Sequence, residues 1–361
     1  MMKVIPLTCL ALLILLCTGC TDDGPAPPDV SAIPVDLTLL RFDRALATLD
    51  TSDLPAALAR LDDQYGSFTD AFFTHLVPAR RRDFSAAEGQ RVLRAYLDYP
   101  LTRFVDSLVE GRFPPSPLER AGEREAGGGA QVQKVADELA TALRYYRYYF
   151  PRAPVPDTLV TYATHFELAA FLYGDGQLAL GLDFFLGPDF DYTQVDPNEP
   201  IFSDYLAQSY TPAHAPGKLL RVLLEDRFPP PRTGRMIDYL LYEGKKLYVL
   251  EQLLPGTPRH VVYEVSEAEM GWLEDNETPI YAYLQREDEL YSTDVSKIRK
   301  YTGPAPYSAG MPQESPGGAV NYLGRQIVAS FLAQNPEVTL PELMAMTDGQ
   351  EILRRARYKP R

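Results

Sequence analysis

Beyond residue 40, apolar side chains recur mostly at helical spacing. Leu54, Leu58 and Leu61 define one helix within 53–65, and 68–77 predicts a short aromatic one. Residues 88–110 continue the pattern, with a break expected at Pro100. The strongest helix is predicted over 130–150, where Val132, Val135, Leu139, Leu143 and Tyr146 form one stripe. After it come 201–210, 216–228, 234–254, 266–274, 278–289, 321–332, 340–346 and 350–357. Two-residue alternation marks only a few stretches: 35–42, 157–164, 171–173 and 177–186, the last two joined at Gly174-Asp175-Gly176. The pattern predicts an α+β fold, predominantly helical, with a small central mixed sheet. The globular unit is 35–361, with 112–129, rich in Gly and Pro, as an exposed loop.

The chain has 361 residues, and its 49 acids against 35 bases give a net charge of −14. Such a surface repels phosphates, so nucleic acid is not an expected partner. The three cysteines, Cys9, Cys17 and Cys20, all precede residue 21, which argues against a zinc module or a disulfide framework downstream.

Lys3 followed by the apolar run Val4 to Leu16 describes a signal peptide over residues 1–19, too short to span a bilayer. Cys17-Thr18-Gly19-Cys20 resembles a bacterial lipobox, with Cys17 where Leu is commonest. Cleavage there makes Cys20 the lipidated first residue, and the acyl chains, palmitate among them, are the membrane anchor. Residues 20–34, rich in Pro and Asp, then form an extended tether. Thr21, Asp22 and Asp23 resemble the acidic signal that sends some Bacteroidetes lipoproteins to the outer surface.

No catalytic or metal-binding constellation stands out, so no catalytic residue, metal or cofactor is assigned. His-x-x-x-His and Gly-x-Ser-x-Gly are absent, and His165-Phe166-Glu167 is a poor pair of ligands. Asp183 reads as a solvated acid on an edge strand. The run Tyr145, Tyr146, Tyr148, Tyr149, Phe150 reads as core and helix-end packing, with stacking on sugar or base rings as the alternative.

Several blocks, in order, resemble the gliding-motility-associated lipoprotein family GldB of Bacteroidetes. They are Ala32-Ile33-Pro34-Val35 with Leu40-Arg41-Phe42-Asp43, then Leu180-Gly181-Leu182-Asp183-Phe184-Phe185-Leu186-Gly187. Tyr242-Glu243-Gly244-Lys245-Lys246-Leu247-Tyr248 follows, then Gly271-Trp272 with Asn276-Glu277, and the ending Tyr358-Lys359-Pro360. The resemblance implies an envelope lipoprotein of gliding motility, linked to type IX secretion. Its partners would be the membrane, through Cys20, and other gliding or secretion proteins.

The order of elements is also similar to that of zincin metallopeptidases. In that reading 177–186 is the edge strand, 216–228 the first helix, and Glu243 on 234–254 stands where a zinc-binding Glu would be. The first helix has no His, so Glu243 and Asp183 would border a degenerate, metal-free cleft, that of a pseudoenzyme. The expected function is a non-enzymatic component acting through protein contacts. The alternative is a cell-envelope hydrolase acting on peptide or glycan. A glycan-binding lipoprotein of the SusD kind is a third reading. Replacing Cys20 by Ser should abolish incorporation of labelled palmitate and release the protein from the membrane fraction. Labelling that persists in Cys20→Ser would refute the anchor.

Overall fold

The computed structural model describes residues 26–77, 84, 86–115, 129–232 and 234–360. A four-stranded sheet separates two helical layers. Its strands are β1 (Thr38–Arg41), β2 (Thr158–Tyr162), β3 (Ala170–Tyr173) and β4 (Gln177–Gly181), in the spatial order β1-β2-β4-β3. The β1–β2 and β2–β4 pairs are parallel, and β3–β4 is an antiparallel hairpin. Side chains alternate across the sheet as its period of two requires. Leu159, Leu178 and Leu180 enter the larger core, whereas Val160, Tyr162 and Ala179 enter the smaller.

The smaller core belongs to the N-terminal helices: α1 (Phe42–Ala47), α2 (Leu54–Tyr65), α3 (Ser67–Ala71), which runs into a π turn at Phe72–Leu76, and α4 (Ala87–Leu97). Its centre is Phe42, fully buried, with the rings of Tyr65, Phe68 and Phe72 within about 5 Å. Pro100 opens α5 (Pro100–Arg112), where its missing N–H has no partner to lose.

On the other face lie α6 (Ala130–Tyr149), α7 (Asp204–Ala207), α8 (Ala215–Arg227) and α9 (Met236–Leu253). Next come α10 (Arg259–Tyr263), α11 (Glu267–Asp275), α12 (Glu277–Arg286) and α13 (Val295–Thr302). The chain closes with α14 (Ala319–Gln334), α15 (Leu340–Ala345) and α16 (Gly349–Ala356). The α+β class, mainly helical around a small mixed sheet, is as the hydrophobic pattern predicts.

Three expectations need correction. The stretch 177–186 is not one strand: β4 stops at Gly181, and Leu182–Phe185 is a 3₁₀ turn. Nor is β4 an edge, because it is paired on both sides; the edges are β1 and β3. The stretch 201–210 is also broken, into a 3₁₀ turn at Pro200–Phe202 and the single turn α7. The exposed loop expected at 112–129 falls largely on 116–128, outside the described residues.

Helices α9 and α14 cross with almost nothing between them. A Cβ added to Gly244 would lie 2.2 Å from the carbonyl carbon of Gly324, and one on Gly324 would lie 2.1 Å from the carbonyl oxygen of Leu240. Glycine is required at both positions by the approach of the two backbones. Gly324→Ala should therefore lower stability by about 3 kcal/mol or more, seen as a fall in the urea midpoint. Gly271 on α11 has no atom within 4 Å of its Cβ position, so Gly271→Ala should raise stability, by up to about 1 kcal/mol. Equal effects at the two sites would contradict the close crossing.

Candidate functional site

A cleft of about 660 Å³ opens where α8 and α9 meet the end of α10, α13 and the loop before α14. Arg221 and Glu225 are four residues apart on α8 and so share one face. Glu243 and Lys246 lie one turn apart on α9. Glu264 follows α10 directly, in the left-handed region at φ 60°, which turns the chain back toward the cleft.

These groups form one chain of alternating charge. Lys218 Nζ donates to Glu264 Oε2 at 2.6 Å, and Arg221 Nε lies 3.4 Å from Glu264 Oε1. Arg221 Nη1 lies 4.0 Å from Glu243 Oε2. Lys246 Nζ then bridges Glu243 at 2.9 Å and Glu225 at 2.6 Å. The three cations balance the three carboxylates, and Lys246, the most buried, also lies over the Tyr242 ring. Burial pushes the Glu264 carboxyl up, but Lys218 and Arg221 overcome it and hold the group near 2. Burial lowers His214 to about 4, so its imidazole is neutral at pH 7 and bonds to the Thr211 hydroxyl.

The far wall is a fixed loop. Ser308 Oγ donates to the Pro316 carbonyl and accepts from the amide of Ala319. The Glu264 carboxylate, ionised far below neutrality, cannot serve as a proton donor there. Among the described residues, no group of three His, Cys, Asp or Glu side chains is arranged to hold a metal ion.

Compared with known protein families, residues 23–360 match the model described as gliding motility protein GldB. The chain belongs to the GldB family. No curated protein and no solved structure matches it. A gliding-motility lipoprotein is an envelope protein, and among the described residues no helix is long and apolar enough to cross a membrane.

The GldB blocks divide between the cleft and the frame. Glu243 and Lys246 line the cleft. Asp183 does not: it is fully buried behind β4, where its carboxylate accepts from the Thr164 and Phe166 amides at 3.0 and 2.9 Å. It is therefore not the solvated edge-strand acid expected, and it does not share a cleft with Glu243. The chain turns inward at Gly181, where a Cβ would lie 2.4 Å from the Leu168 carbonyl oxygen, and the turn carries Asp183 inside. Cys20 lies outside the described residues. Arg221, Glu225, Lys218 and Glu264 were not singled out from the sequence. The Arg221/Glu225 spacing on a helix was the available signal, but partners from α9 and α10 give it meaning.

Asp183 gives a pH test. Burial raises its carboxyl from 3.8 to about 6, against the Phe166 and Thr164 hydrogen bonds that lower it. The folded state thus binds this proton more tightly than the unfolded state. Its contribution to stability is fully present below about pH 4 and is lost as pH rises to about 6, a change of about 3 kcal/mol. Urea titrations of wild type and Asp183→Asn should differ in slope across that window and run parallel above it. Parallel curves from pH 4 to 7 would contradict the buried carboxylate.

Proposed function

We propose that the protein is a non-enzymatic, lipid-anchored component of the gliding and type IX secretion apparatus, acting through contacts with other envelope proteins. The family match carries this reading, because it runs from the acidic tether at residue 23 to the C-terminal Tyr358-Lys359-Pro360 block. Cys20 holds the protein to the membrane, and the acidic, Pro-rich segment after it leads into the body, which the chain has already joined at the buried Val30 and at Pro34, whose carbonyl accepts from Arg147.

The charge chain in the cleft supports the non-enzymatic part. In the zincin-like reading, α8 supplies a pair of ligands one turn apart facing Glu243. The residues so spaced are Arg221 and Glu225, and Lys246 binds both Glu225 and Glu243. Two cations among the carboxylates repel a divalent metal ion. The edge-strand part of that reading is not retained, since β4 is interior.

The test is complementation in the host depleted of this protein. Depletion should abolish both colony spreading and release of type IX cargo. Glu243→Gln, expressed at wild-type level in the membrane fraction, should restore both. If that variant is well expressed and both processes stay lost, the cell-envelope hydrolase reading replaces this one.

A further inference from the structure

A second and larger concavity, about 1120 Å³, lies where the carboxyl ends of α6, α8 and α14 converge on the carboxyl-terminal part of α9 and the start of α15. Its lining is unlike that of the charged cleft. Tyr148, Tyr149, Tyr248 and Phe228 supply rings, and Pro151, Pro336 and Pro341 with Leu332 and Val338 supply apolar walls. Tyr148 is half exposed and stands edge-on to Tyr149 at 5.0 Å.

The polar groups at this groove are mostly donors. Gln252 lines the groove, and its side-chain oxygen lies 3.5 Å from the Tyr149 hydroxyl, which donates to it. The hydroxyls of Tyr148 and Tyr248 have no partner among the described residues. Arg152 and Arg227 are exposed, stand at or past helix carboxyl ends where a cation is favoured, and have no carboxylate partner among the described residues. The one acid, Glu342, is occupied by the Thr339 amide at its own helix cap, 2.8 Å away. On a chain of net charge −14, this is a locally basic, donor-rich, ring-lined groove.

We infer that this groove binds an extended proline-rich peptide segment with acidic flanks, carried by a partner protein. A polyproline II segment presents flat pyrrolidine faces and carbonyl acceptors, and few N–H donors. The groove offers the complement: rings and proline faces to pack against, and hydroxyl, amide and guanidinium donors for the carbonyls. Acidic flanks find Arg152 and Arg227. The many apolar wall residues favour peptide over a glycan, which needs polar groups of both kinds along its length. The inference rests on the reading above that the protein works through protein contacts, and it supplies the surface.

The experiment presents the purified lipoprotein in detergent to an array of proline-rich peptides that vary in acidic flanks. Acidic proline-rich members should bind. Tyr148→Ala and Arg227→Ala should each weaken binding about tenfold or more, Tyr148→Phe, which keeps the ring and loses one donor, by less, and the cleft variant Glu243→Gln should leave it unchanged. Because Tyr148 and Arg227 are exposed, folding should be intact, which circular dichroism verifies. Failure of every array member overturns the inference. So does equal binding when the prolines are replaced by Gly and Ser, or Tyr148-dependent binding of oligosaccharides in place of peptides. The array reads the groove alone, so its failure leaves the motility role, read by spreading, standing.

Discussion

The crossing of α9 and α14 at Gly244 and Gly324 is the contact on which the rest of the molecule depends. Two helices approach so closely only where both lack side chains, and dispersion between the backbones then replaces side-chain packing. The spine so formed carries the ion pairs. On one side Arg325 of α14 binds Glu251 of α9, which also receives Arg259. At the amino end of α9, Asp238 accepts the amide of Gly349 and so docks α16. Lys245 is buried beside Gly244, and its ammonium donates to the Met344 and Met346 carbonyls at the end of α15. Burial lowers that amine to about 8. Rotating α9 by one residue would misplace all three attachments and Glu243 and Lys246 with them.

Seen this way, the blocks that mark the family are largely devices of the frame. Arg41 and Asp43 form a buried pair at 2.6 Å, and Asp43 also accepts the Thr161 hydroxyl, which ties α1 to β2. Phe42 between them centres the smaller core. Glu277 and Tyr358, far apart in sequence, meet in a hydrogen bond of 2.6 Å, with Gln326 of α14 as a second donor to the same carboxylate. The C-terminal block is thus held to the spine. Burying such charges is tolerable only because each is satisfied by several hydrogen-bond partners, and losing one partner leaves the other stranded.

Most of the helices were legible in the sequence, because long amphipathic stripes such as Val132 to Tyr146 have no other reading. The class of the fold followed from them. What was not legible depended on tertiary pairing. The alternation of Leu178, Leu180, Leu182 and Phe184 runs on past the real end of β4, since a 3₁₀ turn also buries those side chains in the larger core. Asp183 read as solvated because a lone acid after a strand usually is, and nothing local announces the amides of Thr164 and Phe166. The short helix α10 was missed, and Glu264 with it. The cleft is assembled from helices separated by many residues, so only Glu243 was singled out in advance, from its place in the zincin-like order of elements.

The two concavities differ in chemistry. In the cleft, Lys218, Arg221 and Lys246 are committed to Glu264, Glu243 and Glu225. The ring-lined groove keeps its donors unspent. The central claim is that this chain works by touching another envelope protein, and photo-crosslinking in living, spreading cells tests it most directly. A photoreactive phenylalanine analogue placed at Tyr148, in the groove, or at Tyr205, in the cleft, captures what lies against each surface. A discrete protein adduct at Tyr148 is the predicted result. Absence of a protein adduct at both positions, in cells that still spread, would contradict the account.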